Sequence, residues 1–92
     1  MAMNKYLVER DLPNASNLND EQLKAMAEKW NKAVKAFAPN MIEWLESNTA
    51  AGKCFCMFLA DSETTIHKHA GIIGIPATQI TKVKKTIGPK TG

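Results

Sequence analysis

The chain has 92 residues, of which 45% are hydrophobic and 23% are charged, and its formal net charge is +3. These values are ordinary for a globular protein and exclude a disordered chain, and no apolar run approaches the roughly 20 residues that a membrane helix needs. We therefore expect a single domain over residues 1–92. Because residues 1–5 show no apolar signal segment, we also expect a cytoplasmic location.

The chain opens with a β-prone run at residues 6–10, which Pro13 helps to stop. Asn19 is the predicted N-cap of a helix, and Gln22 stands in the position that completes a capping box. The apolar residues that follow recur at helical spacing and predict one amphipathic helix ended by Pro39: Leu23, Met26, Ala27, Trp30, Val34 and Phe37.

The middle of the chain predicts a β-hairpin. Residues 41–47 favour a strand, residues 48–52 favour a turn, and residues 53–60 favour a second strand. In this last run the side chains are apolar on both faces of the predicted strand, which is typical of a strand covered on both sides. We therefore expect it to lie centrally in its sheet.

A second helix and a final strand complete the predicted order. Asp61 or Ser62 is the expected cap of the helix, and residues 74–77 stop it. Its inner face is predicted to carry Ile66, His69, Ala70 and Ile73. Residues 79–87 then favour a last strand.

The resulting order is that of the α+β ferredoxin-like fold, β-α-β-β-α-β. Right-handed crossovers would place the first and third strands at the centre of a four-stranded antiparallel sheet, with both helices on one face. The other face would have no cover within the chain, although the third strand is apolar on that side too. We therefore expect a homodimer in which a partner sheet covers this face.

Four side chains are candidate metal ligands: Glu9, Glu46, Cys56 and His69. Glu9 lies within the first strand, where a carboxylate is unfavourable unless something pairs with it, and Cys56 lies on the strand predicted to be its neighbour. His67 cannot join His69 on one metal, because residues two apart point in different directions from a helix. Carboxylate, imidazole and thiolate together suit a divalent transition metal such as nickel, zinc or copper.

Each candidate also has a simpler structural interpretation. Glu9 and Glu46 are equally compatible with exposed parts of strands, and Cys56, like Cys54, with a free thiol that fills the core. His69 is compatible with a buried histidine bonded to a backbone carbonyl. The sequence contains no CxxC pair, HExxH motif or His-rich tract. The residues alone therefore leave both interpretations open.

Two segments resemble a known protein family. They are YLVERDLP at residues 6–13, and His69-Ala70 followed by GIPA at residues 74–77. Both are similar to segments of small bacterial proteins, long described only as a domain of unknown function, whose best-known member is an actinobacterial nickel-binding protein. The similarity extends over residues 5–89.

This resemblance implies a dimeric ferredoxin-like α/β barrel and a nickel-binding role. Glu9, Cys56 and His69 match residues typical of the family pattern. Position 46 differs, since relatives commonly have His where this chain has Glu46.

We therefore expect a small metal-binding protein, with nickel as the first metal to test and with a bound metal ion or small ligand as its partner. The alternative is a small dimeric α/β-barrel enzyme of oxygenase or isomerase type, with Glu9 and His69 as acid and base in a pocket between sheet and helices. RNA binding is disfavoured although the RNA-recognition motif shares this strand order, because Met57 and Ala60 stand where stacking aromatic residues belong.

Overall fold

The structure of the chain is a computed structural model that describes residues 3–92, apart from the side chain of Ser16. Its main elements are β1 (Asn4–Asp11), α1 (Asp20–Val34), β2 (Ile42–Ala50), β3 (Lys53–Ala60), α2 (Glu63–Ile73) and β4 (Gln79–Lys82), with a short 3-10 helix at Ala15–Asn17. The strands form one antiparallel sheet in the order β2-β3-β1-β4. This order confirms the predicted ferredoxin-like fold. Met1 and Ala2, part of the expected N-terminal segment, lie outside the described residues.

The two central strands separate a face that the helices cover from a face that neither helix covers. On β1, Tyr6, Val8 and Arg10 are buried, whereas the residues between them are half-buried. On β3, the same alternation buries Cys54, Cys56 and Phe58. The buried residues pack against α1 and α2 in one core, to which the helices contribute Trp30, Ala33, Ile66 and Ile73. We call the opposite surface of the sheet, which carries Leu7, Glu9, Phe55, Met57 and Leu59, the open face.

The first helix begins where the sequence predicts. The side-chain oxygen of Asn19 accepts a hydrogen bond from the Gln22 backbone N–H at 2.8 Å, and the Gln22 side chain accepts one from the Asn19 N–H at 3.0 Å. The helix ends at Val34, before Pro39, so its predicted end was too late. Phe37 lies in the turn that follows, and it still packs against the core.

The predicted hairpin turn was too long. Asn48, Thr49 and Ala50 continue β2 and pair with β3, so the turn consists of Ala51 and Gly52 alone. Gly52 has a φ of 74°, a left-handed conformation that only glycine adopts without strain. The pairing of polar and small residues at the end of β2 therefore extends the strand beyond its apolar part.

The predicted last strand was also too long, since β4 ends at Lys82 instead of residue 87. Strand β4 pairs with β1 in the antiparallel sense, and Lys82 already lies opposite Tyr6. One further hydrogen bond joins the Val83 N–H to the Lys5 carbonyl. Beyond it β1 itself comes to an end at Asn4, so the rest of the chain has no strand to pair with.

The second helix presents the predicted inner face to the core, because Ile66, His69, Ala70 and Ile73 are all buried. Gly74 ends the helix in a left-handed conformation, and its N–H donates to the Ala70 carbonyl. Within residues 3–92, neither this helix nor α1 is long and apolar enough to cross a membrane.

The capping box makes a measurable contribution to stability. We expect Asn19→Ala to lower the free energy of unfolding by about 1 kcal/mol, because the Gln22 N–H loses its acceptor. Urea denaturation measures this difference. Asn14→Ala is the matched control, since Asn14 precedes the 3-10 helix without any side-chain capping bond. An equal loss in both variants would contradict the role of the Asn19 cap.

Candidate functional site

The two candidate glutamates lie on the open face of the sheet. Glu9 is half-buried at the centre of β1, opposite Phe55 of β3. Glu46 is exposed on β2, opposite Met57, and its Oε2 accepts a hydrogen bond from Asn48 Nδ2 at 3.0 Å. A β-bulge between Trp44 and Glu46 is the reason for this position. In a regular strand, residues two apart share a face, but the extra residue turns Glu46 away from the core.

The candidate cysteine and histidine lie on the opposite, helix-covered face, where both are fully buried. His69 Nε2 lies 3.2 Å from the Trp30 carbonyl oxygen. Because a carbonyl only accepts, Nε2 carries the proton and Nδ1 carries a lone pair. Burial lowers the pKa of His69, and the nearby Arg10 charge lowers that pKa further, against the opposing effect of the Trp30 hydrogen bond. His69 is therefore a neutral core histidine bonded to a backbone carbonyl.

One chain does not bring the four candidate ligands together. The sheet lies between the two glutamates and the two buried residues, and strand β3 separates Glu9 on β1 from Glu46 on β2. Among residues 3–92, no three His, Cys, Asp or Glu side chains are close enough to hold a metal ion. A metal role for these residues stays a prediction. Within a single chain, one metal ion could be bound only by candidates on the same face of the sheet.

The residue that sequence reasoning missed is Arg10, which is fully buried between the sheet and the helices. Its Nη1 donates to the Ile75 carbonyl oxygen at 2.6 Å. Its guanidinium carbon lies 5.1 Å from the centre of the Trp30 ring and 5.8 Å from that of Phe58, so both rings contribute cation–π stabilisation. The sequence did contain a signal for this burial, because side chains alternate along a strand and Arg10 lies on the same face as Tyr6 and Val8.

No buried carboxylate of residues 3–92 balances the Arg10 charge. Among residues 3–92, the buried polar or charged side chains are Arg10, Thr65 and His69. Within the same range, the Nε and Nη2 atoms of Arg10 have no hydrogen-bond partner. An isolated buried charge costs several kcal/mol, so a counter-charge is expected nearby.

A pair of thiols lies beside this guanidinium. Cys54 is directly opposite Arg10 in the β1–β3 register, and Cys56 follows two residues later on the same face. Their Sγ atoms are 3.6 Å apart, and both residues are fully buried. Ser47 lies opposite Cys56 on β2, and its hydroxyl accepts a hydrogen bond from Trp44 Nε1 at 2.8 Å. Its own proton is therefore free to face the thiols.

The hydrogen bond between the two thiols affects them unequally. With Cys54 as the donor, this bond lowers the pKa of Cys56 against the opposing effect of burial. The Ser47 hydroxyl and the Arg10 charge lower that pKa further. The same hydrogen bond and burial raise the pKa of Cys54. Of the two thiols, Cys56 is therefore the one that favours the thiolate form, beside the Arg10 guanidinium.

Two pockets in the described part of the chain do not favour the enzyme alternative. One, of about 370 Å³, is lined by residues that include Asn31, Pro39 and Glu43. Another, of about 240 Å³, is lined by residues that include Trp30 and Ser47. Neither is lined by Glu9 or His69, which were the acid and base candidates.

The lowered pKa of Cys56 predicts a specific pH dependence of stability. The pKa of Cys56 falls from 9.0 to about 6 in the folded protein. This pair should therefore stabilise the fold increasingly as the pH rises from 6 towards 9, and the contribution should be lost as the pH falls through 6. The ultraviolet absorbance of the thiolate, followed against pH, measures the titration.

The variants of Cys54 test the cause of this shift. Cys54→Ala should raise the pKa of Cys56 because the donor is gone, whereas Cys54→Ser keeps a donor and should leave it low. Cys56→Ala should remove the titration from the neutral range. A Cys56 pKa near the ordinary thiol value in the wild-type protein would refute this effect of the hydrogen bond.

Two comparisons with known proteins bear on this arrangement. A family model described as "Nickel responsive protein SCO4226-like" matches residues 6–83. The crystal structure of SCO4226 from Streptomyces coelicolor A3(2) matches with a TM-score of 0.73 at 13% sequence identity, over 90% of this chain and 99% of that chain. A comparison with curated proteins finds no match.

At 13% identity, the structural match shows a shared fold alone. The family match is different in kind, because it spans most of the chain, from Tyr6 to Val83. It confirms the resemblance that the segments at 6–13 and 74–77 indicate. The chain belongs to the SCO4226-like family of nickel responsive proteins.

Proposed function

We propose that this protein binds a divalent transition metal, nickel first, as a homodimer whose two open faces meet. The observation that carries the proposal is the presence of Glu9 and Glu46 on the face of the sheet opposite to the one that the two helices cover. The description of the family as nickel responsive supports nickel as the metal.

The open face has the composition of a surface that needs a partner. Its central residues Leu7, Phe55, Met57 and Leu59 are apolar and half-buried, with neither helix above them. A sheet with an apolar face is normally covered by a second layer. In this proposal the second layer is another copy of the chain.

Charges on the open face favour a second copy as the partner. Lys5 and Glu43 lie on either side of Leu59 in neighbouring strands, and Glu9 lies further along β1. A two-fold axis brings each patch against the same patch of its twin, so a face with both signs of charge can be complementary to itself. Lys5 of one protomer would then face a glutamate of the other.

The charge of Arg10 argues for the open face over the helix-covered face as the divalent site. Two thiolates with a divalent ion carry no net charge, which would leave the buried Arg10 without a counter-charge. On the open face, β3 separates Glu9 from Glu46, so in this proposal each site combines glutamates of both protomers. Carboxylates are harder ligands than imidazole, so we expect weaker nickel binding than a His-rich site would give.

Nickel binding should depend on both glutamates. We expect Glu9→Gln and Glu46→Gln each to weaken nickel binding by about tenfold or more, or ~1.4 kcal/mol, because each removes an anionic ligand. Isothermal titration of tag-free protein with Ni²⁺ measures the affinity. Glu28→Gln is a control for charge, because Glu28 is exposed on α1, and His67→Ala is a control for adventitious binding at an exposed histidine. Unchanged nickel binding in the Glu9→Gln/Glu46→Gln double variant would refute this site.

Dimerisation should depend on the apolar centre of the open face. We expect the wild-type protein to sediment as a dimer and Met57→Asp to sediment as a monomer, because the new carboxylate lies opposite Glu46 in the middle of the interface. Ile72→Asp is the control, since Ile72 is an exposed apolar residue on α2 and should leave the dimer intact. A monomeric wild-type protein in sedimentation velocity would exclude the dimer.

A further inference from the structure

The two buried thiols form a compact pair that the proposed nickel site does not use. We propose that Cys54 and Cys56 are the ligands of a second metal site, one that takes a soft monovalent cation, Cu⁺ or its analogue Ag⁺. The proposal rests on the separation of the two sulfur atoms, on the charge of Arg10 and on the pocket next to Ser47.

The spacing of the sulfur atoms suits one shared ion. Their separation is 3.6 Å. Two thiolates that each lie about 2.3 Å from one ion are about 3.8 Å apart at a tetrahedral angle and about 4.6 Å apart in a linear two-coordinate complex. The sulfurs would therefore separate by about 1 Å around a linear ion, a change that rotation of the two side chains supplies without rearrangement of the β3 backbone. Thiolate ligands select soft ions such as Cu⁺.

The charge of the site selects a monovalent ion. Two thiolates with a monovalent cation carry a net charge of −1, which the buried guanidinium of Arg10 opposite Cys54 balances. A divalent cation on the same sulfurs would leave one positive charge buried, at a cost of several kcal/mol. Arg10 therefore acts as a positioned counter-ion for the complex.

The number of ligands agrees with this choice. Among residues 3–92, no third His, Cys, Asp or Glu side chain completes a group around the thiols. Structural zinc sites use four protein ligands, so a pair of sulfurs is insufficient for them. Cu⁺ and Ag⁺ form stable two-coordinate complexes with thiolates, and two ligands satisfy them.

A pocket comes close to the thiols. The pocket of about 240 Å³ is lined by residues that include Met26, Trp44 and Ser47, and Ser47 lies directly opposite Cys56. The Met26 thioether in this lining is itself a soft donor. In this proposal the ion enters through the pocket and passes Ser47.

Binding exchanges thiol protons for a cation. Each S–H bond of the pair breaks and its proton leaves to solvent, while the ion forms one bond to each sulfur. Oxidation states do not change. The product, two thiolates with one monovalent cation, has the net charge of −1 that Arg10 balances.

The test is anaerobic titration of reduced, tag-free protein with Cu⁺, in competition with a chromophoric Cu⁺ chelator. We expect one ion per chain and a new ultraviolet thiolate-to-copper absorption. Cys54→Ala and Cys56→Ala should each weaken binding by more than the about 10–100-fold that loss of an outer-shell partner costs. Failure of the wild-type protein to compete with the chelator would overturn the proposal, as would equal binding by the Cys54→Ala/Cys56→Ala variant.

Arg10 provides a test of the charge argument. Arg10→Met should weaken Cu⁺ binding by about tenfold or more while favouring Zn²⁺ relative to Cu⁺, and Arg10→Lys, which keeps the charge, should bind as the wild type does. Equal Cu⁺ binding by Arg10→Met and wild type would contradict the counter-ion role. X-ray absorption of the copper-loaded wild-type protein needs no variant to fold, and two sulfur neighbours are expected. Nitrogen or oxygen neighbours alone would refute the site.

The same variants keep this proposal separate from the nickel proposal. The Glu9→Gln/Glu46→Gln variant should lose nickel and keep Cu⁺, whereas the Cys54→Ala/Cys56→Ala variant should do the opposite. Loss of Cu⁺ binding in the glutamate variant would overturn the thiol site as the place of binding.

Discussion

A guanidinium group buried among thiols and aromatic rings is the constraint on which the rest of this molecule depends. Arg10 reaches from β1 to the Ile75 carbonyl beyond α2, and it packs against Trp30 of α1 and Phe58 of β3. Four separate parts of the chain therefore meet at one charge. Removal of the partner of a buried charge typically costs 3–5 kcal/mol, roughly a third of the stability of a small domain or more. The two thiols beside this charge are consequently part of the fold as well as part of a candidate site.

This constraint divides the chemistry of the two sheet faces. On the helix-covered face the protein holds a positive charge permanently, so that face stabilises thiolates and disfavours divalent cations. On the open face the glutamates have no such neighbour, and a cation would be attracted there. His69 belongs to the first face, where its Nε2 proton supports the Trp30 carbonyl at the start of the last turn of α1. Its structural role as a neutral core residue follows from that bond and from burial.

Much of the fold follows from local patterns in the sequence. The helical stripe from Leu23 to Val34, the Asn19 cap and the two-sided apolar run of β3 were sufficient to predict the element order and the central strands. The errors have non-local causes. Strand β4 stops where β1 stops, and the register of β2 changes at a bulge that no residue type marks. That bulge also decides that Glu46 lies on the open face, so the face of this candidate ligand could not be read from its spacing to Trp44.

Arg10, which the sequence reasoning missed, illustrates a more general point about charged residues in short strands. Glu9 attracted attention because a carboxylate in a central strand needs a partner, yet Arg10 satisfies the same condition and lies on the more deeply buried face. Arg10 lies on the same face of β1 as Tyr6 and Val8, and both cysteines lie on the same face of β3 as Phe58. These two alternating patterns together bring a cation and two thiols close to one another. Consecutive residues of one strand, Cys56 and Met57, therefore serve different environments: the first meets a fixed positive charge, and the second lies on a surface whose charges remain open to a partner.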